Sequence, residues 1–386
     1  MLQSSGQSEA PIRLHEESIS PSLLARLGQL VDSGSLASDN ATRAKLSDWF
    51  SGEFGSAAVY LTPSCTDALE MSGLLSQLAP SDEVIVPAYT FATTASAYLW
   101  RTEALRFADS LAERPCVDLA TIAPLVTKRT KVVVVMHYAG LAVDLDPILA
   151  FCREQGLLLV EDAAHAMGSR YRGRPLGTMG DFGTLSFHHT KALSCGEGGC
   201  LLVRDAAWKD RADIIYEKGT NRRFFYQGEV PRYEWMELGS SYVMSSLQSA
   251  ALSAQLEVWP QALERRKALW QQYEQLLAPG AANGWFALPS VPQWAEVNGS
   301  HYYLVADNEV SRDRLIRHLS VHGIESAFHY GALHRSRLWA SRSPSPSLPN
   351  TERFASSLLR IPLHTRLTDD QQHRIAETVL KFYKAS

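Results

Sequence analysis

Along the first two-thirds of the chain, short apolar runs alternate with stretches of helical spacing. Ala57 to Leu61 reads as a strand, and Thr66 to Leu78 carries apolar positions at helical intervals. Glu83 to Val86 is a short strand stopped by Pro87. Lys131 to Met136 holds four consecutive valines, β-branched and apolar on both faces, as a strand buried in a parallel sheet requires. Pro147 to Gln155 reads as a helix closed by Gly156, and Leu157 to Val160 as the next buried strand. Repeated strand–helix–strand units predict an α/β architecture, a mostly parallel sheet covered by helices, in which ligands sit beyond the carboxyl ends of the strands.

Past about Trp259 the pattern changes. A polar helix is predicted from Pro260 to Leu277, a strand near Tyr302 to Val305 and a helix from Ser311 to His322. A strand near Glu325 to His329 and a last helix from Asp369 to Tyr383 follow. This is the pattern of a smaller C-terminal α+β domain. The expected division is an N-terminal segment, 1–34, packing with the small domain, a large ligand-binding domain, 35–258, and the small domain, 259–386. Ser343 to Asn350 (SPSPSLPN) is the most loop-like stretch, because proline removes backbone donors and blocks helix.

Of the 386 residues, 45% are hydrophobic and 20% charged, so a sizeable core forms without disulfide staples. The net charge of −4 exerts no general pull on nucleic acid or an anionic membrane; a bound anion must be held by local groups. Five cysteines without a C-x-x-C pair suggest neither a disulfide framework nor a zinc ribbon, and reduced thiols fit a cytoplasmic location. The first twenty residues are polar, with no apolar signal segment, and no apolar run nears the roughly 18 residues that span a bilayer.

Four stretches carry candidate chemistry. In Val160-Glu161-Asp162-Ala163-Ala164-His165 an apolar strand ends in acidic and then small residues. Asp162 stands there either as a carboxylate able to keep a pyridine nitrogen protonated or as a helix N-cap. In Ser186-Phe187-His188-His189-Thr190-Lys191, followed by Gly196-Glu197-Gly198-Gly199, a lysine lies beside a glycine-rich turn. Its amine forms a Schiff base if its surroundings lower its pKa, and Ser186 is placed to bond a phosphate. His188 and His189, adjacent on a strand, are expected to face opposite ways and so not to pair as metal ligands. Leu61 to Leu69 runs from a strand through small polar residues into a helix, whose first N–H groups suit a phosphate. In Pro87 to Phe91 an aromatic just past a strand end stands either to stack on a flat ring or, as is commoner, to pack in the core.

The order of these signals, with EDAAHA (Glu161 to Ala166), SFHHTK followed by GEGG (Ser186 to Gly199) and MSSLQSA (Met244 to Ala250), resembles the DegT/StrS family of nucleotide-sugar aminotransferases. The resemblance runs from about Gly34 to the C-terminal helix. It implies the fold of type I pyridoxal 5'-phosphate enzymes, with Lys191 as the Schiff-base lysine and proton shuttle and Asp162 paired with the pyridinium nitrogen. His165 would lie against the cofactor, Tyr89 would stack on its ring, and Ser186 with the Cys65–Thr66 backbone would bind its phosphate. The segment Gly239 to Tyr242, with Ser241, would reach into a neighbouring subunit's site, implying a homodimer. Asn221, Arg222, His329 and Tyr330 match positions near the sugar nucleotide. No metal is implied.

Within the family, LTPSCTDALEM (Leu61 to Met71), HYAG (His137 to Gly140), EKGTNR (Glu217 to Arg222), GSSYVMS (Gly239 to Ser245) and FHY (Phe328 to Tyr330) look like the members that aminate dTDP-4-keto-6-deoxy-D-glucose with glutamate as donor. Cys65-Thr66, where many members carry Gly-Thr, and Ser241 and Val243, where many carry Asn and Arg, favour that subgroup. Ala37-Ser38-Asp39 replaces a glycine-rich N-terminal segment. Rival readings are aminotransfer to a 3-keto or UDP-linked sugar, a sugar dehydratase, and a non-catalytic nucleotide-sugar binder. Lys191 argues against the dehydratase, since relatives of that kind carry histidine there. The intact Asp162–Lys191 pair argues against the non-catalytic binder.

Overall fold

In the computed structural model, which describes residues 10–34 and 40–385, the valine run lies at the centre of the main sheet. Val133 and Val135 pack into the core on one face and Val132 and Val134 into the core on the other, all four at most 1% exposed. Only a strand covered on both sides needs apolar residues at successive positions. The sheet has seven strands: β1 (Ala58–Thr62), β2 (Glu83–Pro87), β3 (Ala104–Ala108), β4 (Thr130–Met136), β5 (Leu158–Asp162), β6 (Phe182–Ser186) and β7 (Gly199–Val203). Their order is β1-β7-β6-β5-β4-β2-β3. β2 to β6 pair in parallel, and β7 runs antiparallel between β6 and β1.

That topology brings the carboxyl ends of β1, β2, β4, β5 and β6 to one edge, and the register sets their order along it. Thr62 stands opposite Gly199, Gly199 opposite Ser186, and Thr184 opposite Asp162. Glycine is required at 199: a Cβ there would lie 2.4 Å from the Cys65 nitrogen and the Ser64 carbonyl.

A buried carboxylate locks the same edge. Glu161 Oε2 accepts from the Gly177 amide (2.9 Å) and lies 2.9 Å from His137 Nε2, while Oε1 accepts from the Met179 and Gly180 amides at 2.6 Å each. Burial opposes its ionisation, but the hydrogen bonds from His137, Gly180 and Gly177 outweigh it and hold the carboxyl below its usual pKa.

A helix, Ser246–Ala282, runs unbroken through Pro260, where the sequence pattern predicted a helix start. Ser245 caps it through a box with Gln248, so the true start lies fourteen residues earlier than the proline suggests. Beyond it, β8 (Tyr302–Val305), β9 (Ala327–Phe328) and β10 (Leu358–Ile361) form a second sheet with β10 central. The strand expected from Glu325 to His329 is thus only two residues long. The helices Glu309–Val321 and Asp369–Lys384 cover this sheet. The Pro-rich stretch is irregular only as far as Leu348: Pro349 occupies the first turn of a helix, Pro349–Ser357, where its missing N–H costs nothing. The N-terminal chain joins this part through Ile12, whose amide donates to Gly323 O (2.8 Å) and whose carbonyl accepts from Glu325 N (2.9 Å). Ala37-Ser38-Asp39 lies outside the described residues.

Glu161→Gln sets an amide N–H against backbone donors and is expected to lower the unfolding free energy by about 3 kcal/mol, read by denaturant titration. The carboxylate's stabilisation is present above the ordinary Glu pKa and lost as pH falls through the lowered folded value. The acid side of the stability profile of Glu161→Gln should therefore be flatter than that of the wild type.

Candidate active site

Where β1 ends, Thr62 donates to the Ser64 carbonyl (2.7 Å), and Ser64 caps the helix Cys65–Leu75 by accepting from the Asp67 amide (3.1 Å). Cys65 and Thr66 supply the first N–H groups of that helix, which have no partner within it and carry its positive end. Both residues line a cavity of about 210 Å³ with Asp162, His165, Ser186, Lys191, His329 and Tyr330. Eight of the residues singled out in the sequence thus converge from three strand ends, the turn after β6 and the second sheet.

Asp162 ends β5 and starts no helix; its Oδ1 accepts from the Ala164 amide in a tight turn (3.1 Å). The Thr94 hydroxyl donates to Oδ2 at 2.6 Å and is itself 2.7 Å from the Thr90 hydroxyl. The carboxylate is therefore fixed in place and 2% exposed. Burial pulls the Lys191 amine down from its ordinary value to about 8; Cys65 and Asp162 oppose that shift and the nearby Arg360 adds to it. At pH 7 roughly a tenth of such amines are neutral, against a few in ten thousand for an exposed lysine.

His165 accepts from the Ala139 amide at Nδ1 (3.2 Å). The neutral ring then carries its hydrogen on Nε2, 3.1 Å from the Tyr330 hydroxyl, to which it donates. Burial keeps this ring neutral, with Lys191, His329 and Arg360 acting in the same direction. The Cys65 thiol is pushed up by burial and by Asp162, so it is no nucleophile at neutral pH.

Two expectations change. Tyr89 does not face the cavity: it is 1% exposed, against Tyr138, Tyr330 and Phe354. Phe91, two residues further past the strand end, lines the cavity and is 53% exposed. His188 and His189 do not point apart. The strand stops at Ser186, and in the turn beyond it their rings lie 4.0 Å apart, with His188 Nε2 3.4 Å from Glu197. The two-residue alternation of a strand does not hold once the ladder has ended.

Ser241, Asn221 and Arg222 do not line this cavity. Ser241 is exposed. Asn221 accepts from the Glu234 amide (2.6 Å), and Arg222 donates to the Tyr226 hydroxyl (2.9 Å). The sequence reading missed Thr94, Phe91, His15, His301 and Arg360. The last carried a signal, an arginine inside the apolar run Leu358 to Ile361; the others look like ordinary core or loop residues until the chain is folded.

The donor set suits pyridoxal phosphate: unpaired helix amides and Ser186 for an anion, a fixed carboxylate for a cationic ring nitrogen, an aromatic face, and a buried amine of low basicity. Gly199 keeps the anion cradle open, since any Cβ there would press on the backbone of Ser64 and Cys65.

Comparison with known proteins agrees. The model of the DegT/DnrJ/EryC1/StrS aminotransferase family matches residues 18–380. The aminotransferase TlmJ from Streptoalloteichus hindustanus is 29% identical, covering 97% of this chain and 100% of its own, with a TM-score of 0.88. DesV from S. venezuelae, solved with a ketimine intermediate, is 26% identical over 93% of this chain and 94% of its own, TM-score 0.84. A DegT DnrJ EryC1 StrS aminotransferase from Brucella abortus is 25% identical over 93% of this chain and 95% of its own, TM-score 0.83. With fold and family model agreeing over nearly the whole length, the chain belongs to the DegT/DnrJ/EryC1/StrS aminotransferase family, pyridoxal-phosphate enzymes that aminate sugars.

Proposed function

We propose that this enzyme transfers the amino group of L-glutamate to dTDP-4-keto-6-deoxy-D-glucose, giving dTDP-4-amino-4,6-dideoxy-D-galactose and 2-oxoglutarate. The observation that carries aminotransfer is the buried Lys191 amine sharing one cavity with the fixed Asp162 carboxylate. The choice of sugar rests on the subgroup likeness of the segments around Cys65, Asn221, Ser241 and His329.

Bound in the cavity, pyridoxal phosphate supplies an electron-accepting ring and the carbon on which the amino group is carried. The protein's groups do the rest. Lys191 Nζ would take the proton from the donor's α-carbon and return it across the nitrogen to the cofactor carbon two atoms away, then run the reverse on the sugar. Asp162, held by Thr94 and Ala164, keeps the ring nitrogen positively charged. The Cys65 and Thr66 amides and the Ser186 hydroxyl hold the phosphate, and Phe91, in place of Tyr89, covers the ring. His165, kept neutral, packs beside it, and His329 and Tyr330 meet the sugar.

Asn221, Arg222 and Ser241 serve the partner's cavity in a homodimer. Supporting that reading, Tyr226, Tyr233, Trp235, Met236 and Leu238, in the same stretch of chain, are all more than half exposed, as apolar residues at a subunit interface are in a lone chain. In this reading residues 35–258 hold the cofactor and residues 259–386, with the N-terminal segment, close the site. A cytoplasmic location fits the five free cysteines, and no described helix is long and apolar enough to cross a membrane.

Incubation with pyridoxal phosphate, L-glutamate and dTDP-4-keto-6-deoxy-D-glucose should yield a nucleotide sugar in which mass spectrometry finds the carbonyl oxygen replaced by an amine. Loss of oxygen without gain of nitrogen would make the enzyme a dehydratase, and an unchanged sugar would overturn the substrate assignment. Lys191→Ala should abolish turnover. In the cofactor-free wild type the rate of covalent cofactor capture, followed by absorbance, should rise with pH and level off above about 8 as the amine becomes neutral. Gly199→Ala, whose methyl pushes β7 off the helix start, should weaken cofactor binding roughly tenfold or more while the protein stays folded, as an absorbance titration and a melting curve would report.

A further inference from the structure

Arg360 sits in β10 between Leu359 and Ile361, both at most 1% exposed. The register sets its direction. It stands opposite Tyr303 on β8 and Ala327 on β9, so its side chain leaves the second sheet on the face of Tyr303, away from the core that holds Leu359 and Leu304. On that face Tyr303 packs against Tyr138, whose hydroxyl is 3.0 Å from His329 Nδ1, and Arg360 itself lines the cavity of Lys191 and Asp162.

Among the described residues the guanidinium has no hydrogen-bond or ion-pair partner, and its Nε is buried. The two buried arginines are paired, whereas Arg101, part-exposed like Arg360, also has a buried Nε without a partner but does not line this cavity. Arg266 donates to the carbonyls of Gly299 and Leu363, and Arg312 pairs with Glu309 and Asp313. Arg360 as a whole is only part-buried, but a guanidinium that opens into a cavity without a partner offers its N–H groups to an anionic ligand there. The histidines around it supply no negative charge: His15, His165, His301 and His329 are all kept neutral, chiefly by burial, with Arg360 adding to the shift in each. Asp162, the cavity's fixed carboxylate, is engaged by Thr94 and Ala164.

We propose that Arg360 binds the α-carboxylate of the amino donor, an assignment that rests on the aminotransferase reading above. Geometry selects this anion. The donor's α-carboxylate is one bond from the carbon that gives its proton to Lys191, so it must lie among the groups around that amine, where Arg360 is. The diphosphate of a nucleotide sugar hangs from C1, on the far side of the ring from the reacting C4. The cofactor phosphate has its own cradle at the start of the helix Cys65–Leu75. A planar guanidinium offers two parallel N–H groups to a carboxylate, which a lysine does not. Arg360 would thus recognise the donor and have no charged partner in the sugar half-reaction.

The test uses the holoenzyme with Arg360→Gln and Arg360→Lys. Glutarate, which has the donor's carbon skeleton but no amine to react, is titrated by calorimetry, and the two half-reactions are followed separately by absorbance. Arg360→Gln should weaken glutarate binding, and raise the L-glutamate concentration needed for half-maximal rate, by roughly 10- to 100-fold. The half-reaction of the aminated form with the keto sugar should stay within about threefold of wild type. Arg360→Lys, which keeps the charge but not the fork, should fall between, and it carries the test if the glutamine variant does not fold. 4-Aminobutyrate, which lacks the α-carboxylate, should react equally well with wild type and variant. Unchanged glutarate affinity, or equal loss in both half-reactions, would overturn the assignment. If the wild type takes no amino group from L-glutamate, the donor reading fails instead, and the glutarate titration still decides whether Arg360 binds a carboxylate.

Discussion

The buried carboxylate of Glu161 is the tie on which the catalytic edge of the sheet depends. It gathers His137 from the end of β4 and the amides of Gly177, Met179 and Gly180 from the loop ahead of β6. The next residue along β5 is Asp162. The carboxylate that lines the cavity therefore owes its position to the one beside it, which faces the opposite way along the strand and does not line it. Adjacent acidic residues divide the labour by strand geometry: one face of β5 buys rigidity, the other carries chemistry.

From that edge the electrostatics follow. The cavity holds the cations Lys191 and Arg360, the fixed carboxylate of Asp162, the mostly exposed carboxylate of Glu197, which pairs with His188, and a group of histidines that burial keeps neutral. Neutral imidazoles line the space without adding charge, and the Lys191 amine owes its lowered pKa chiefly to burial. His165 shows how its state is set: the Ala139 amide takes the lone pair of Nδ1, so the hydrogen stands on the side of Tyr330. The partners that orient these groups come from distant segments: Thr94 from the helix after β2, Ala139 from the turn after β4, and Tyr330 from beside the second sheet.

The departures from the sequence reading share a cause. Pro260 looked like a helix start because a free proline prefers one, but the helix Ser246–Ala282 is set by its cap at Ser245 and by burial of Leu252, Trp259 and Leu269 along its length. Tyr89 was given the stacking role by the family resemblance. Whether an aromatic faces a core or a cavity depends on what packs opposite, and Tyr138, Tyr330 and Phe354 close over Tyr89. His188 and His189 were assigned strand alternation two residues after the ladder had ended.

What the sequence determined by itself was the alternation of buried strands and helices and the edge to which their carboxyl ends run; it marked Asp162 and Lys191 as candidates, and the order of the motifs gave them their roles through the family resemblance. These are local facts: runs of β-branched residues, a polar residue at a strand end, a lysine beside glycines. Only the tertiary structure decided that Thr62, Gly199 and Ser186 stand in one row, that Thr94 grips Asp162 across 68 residues, and that Arg360 turns from the second sheet into the cavity. Those are pairings between distant segments. No local pattern encodes them, because register, burial and the missing partner of a charge exist only once the strands have met.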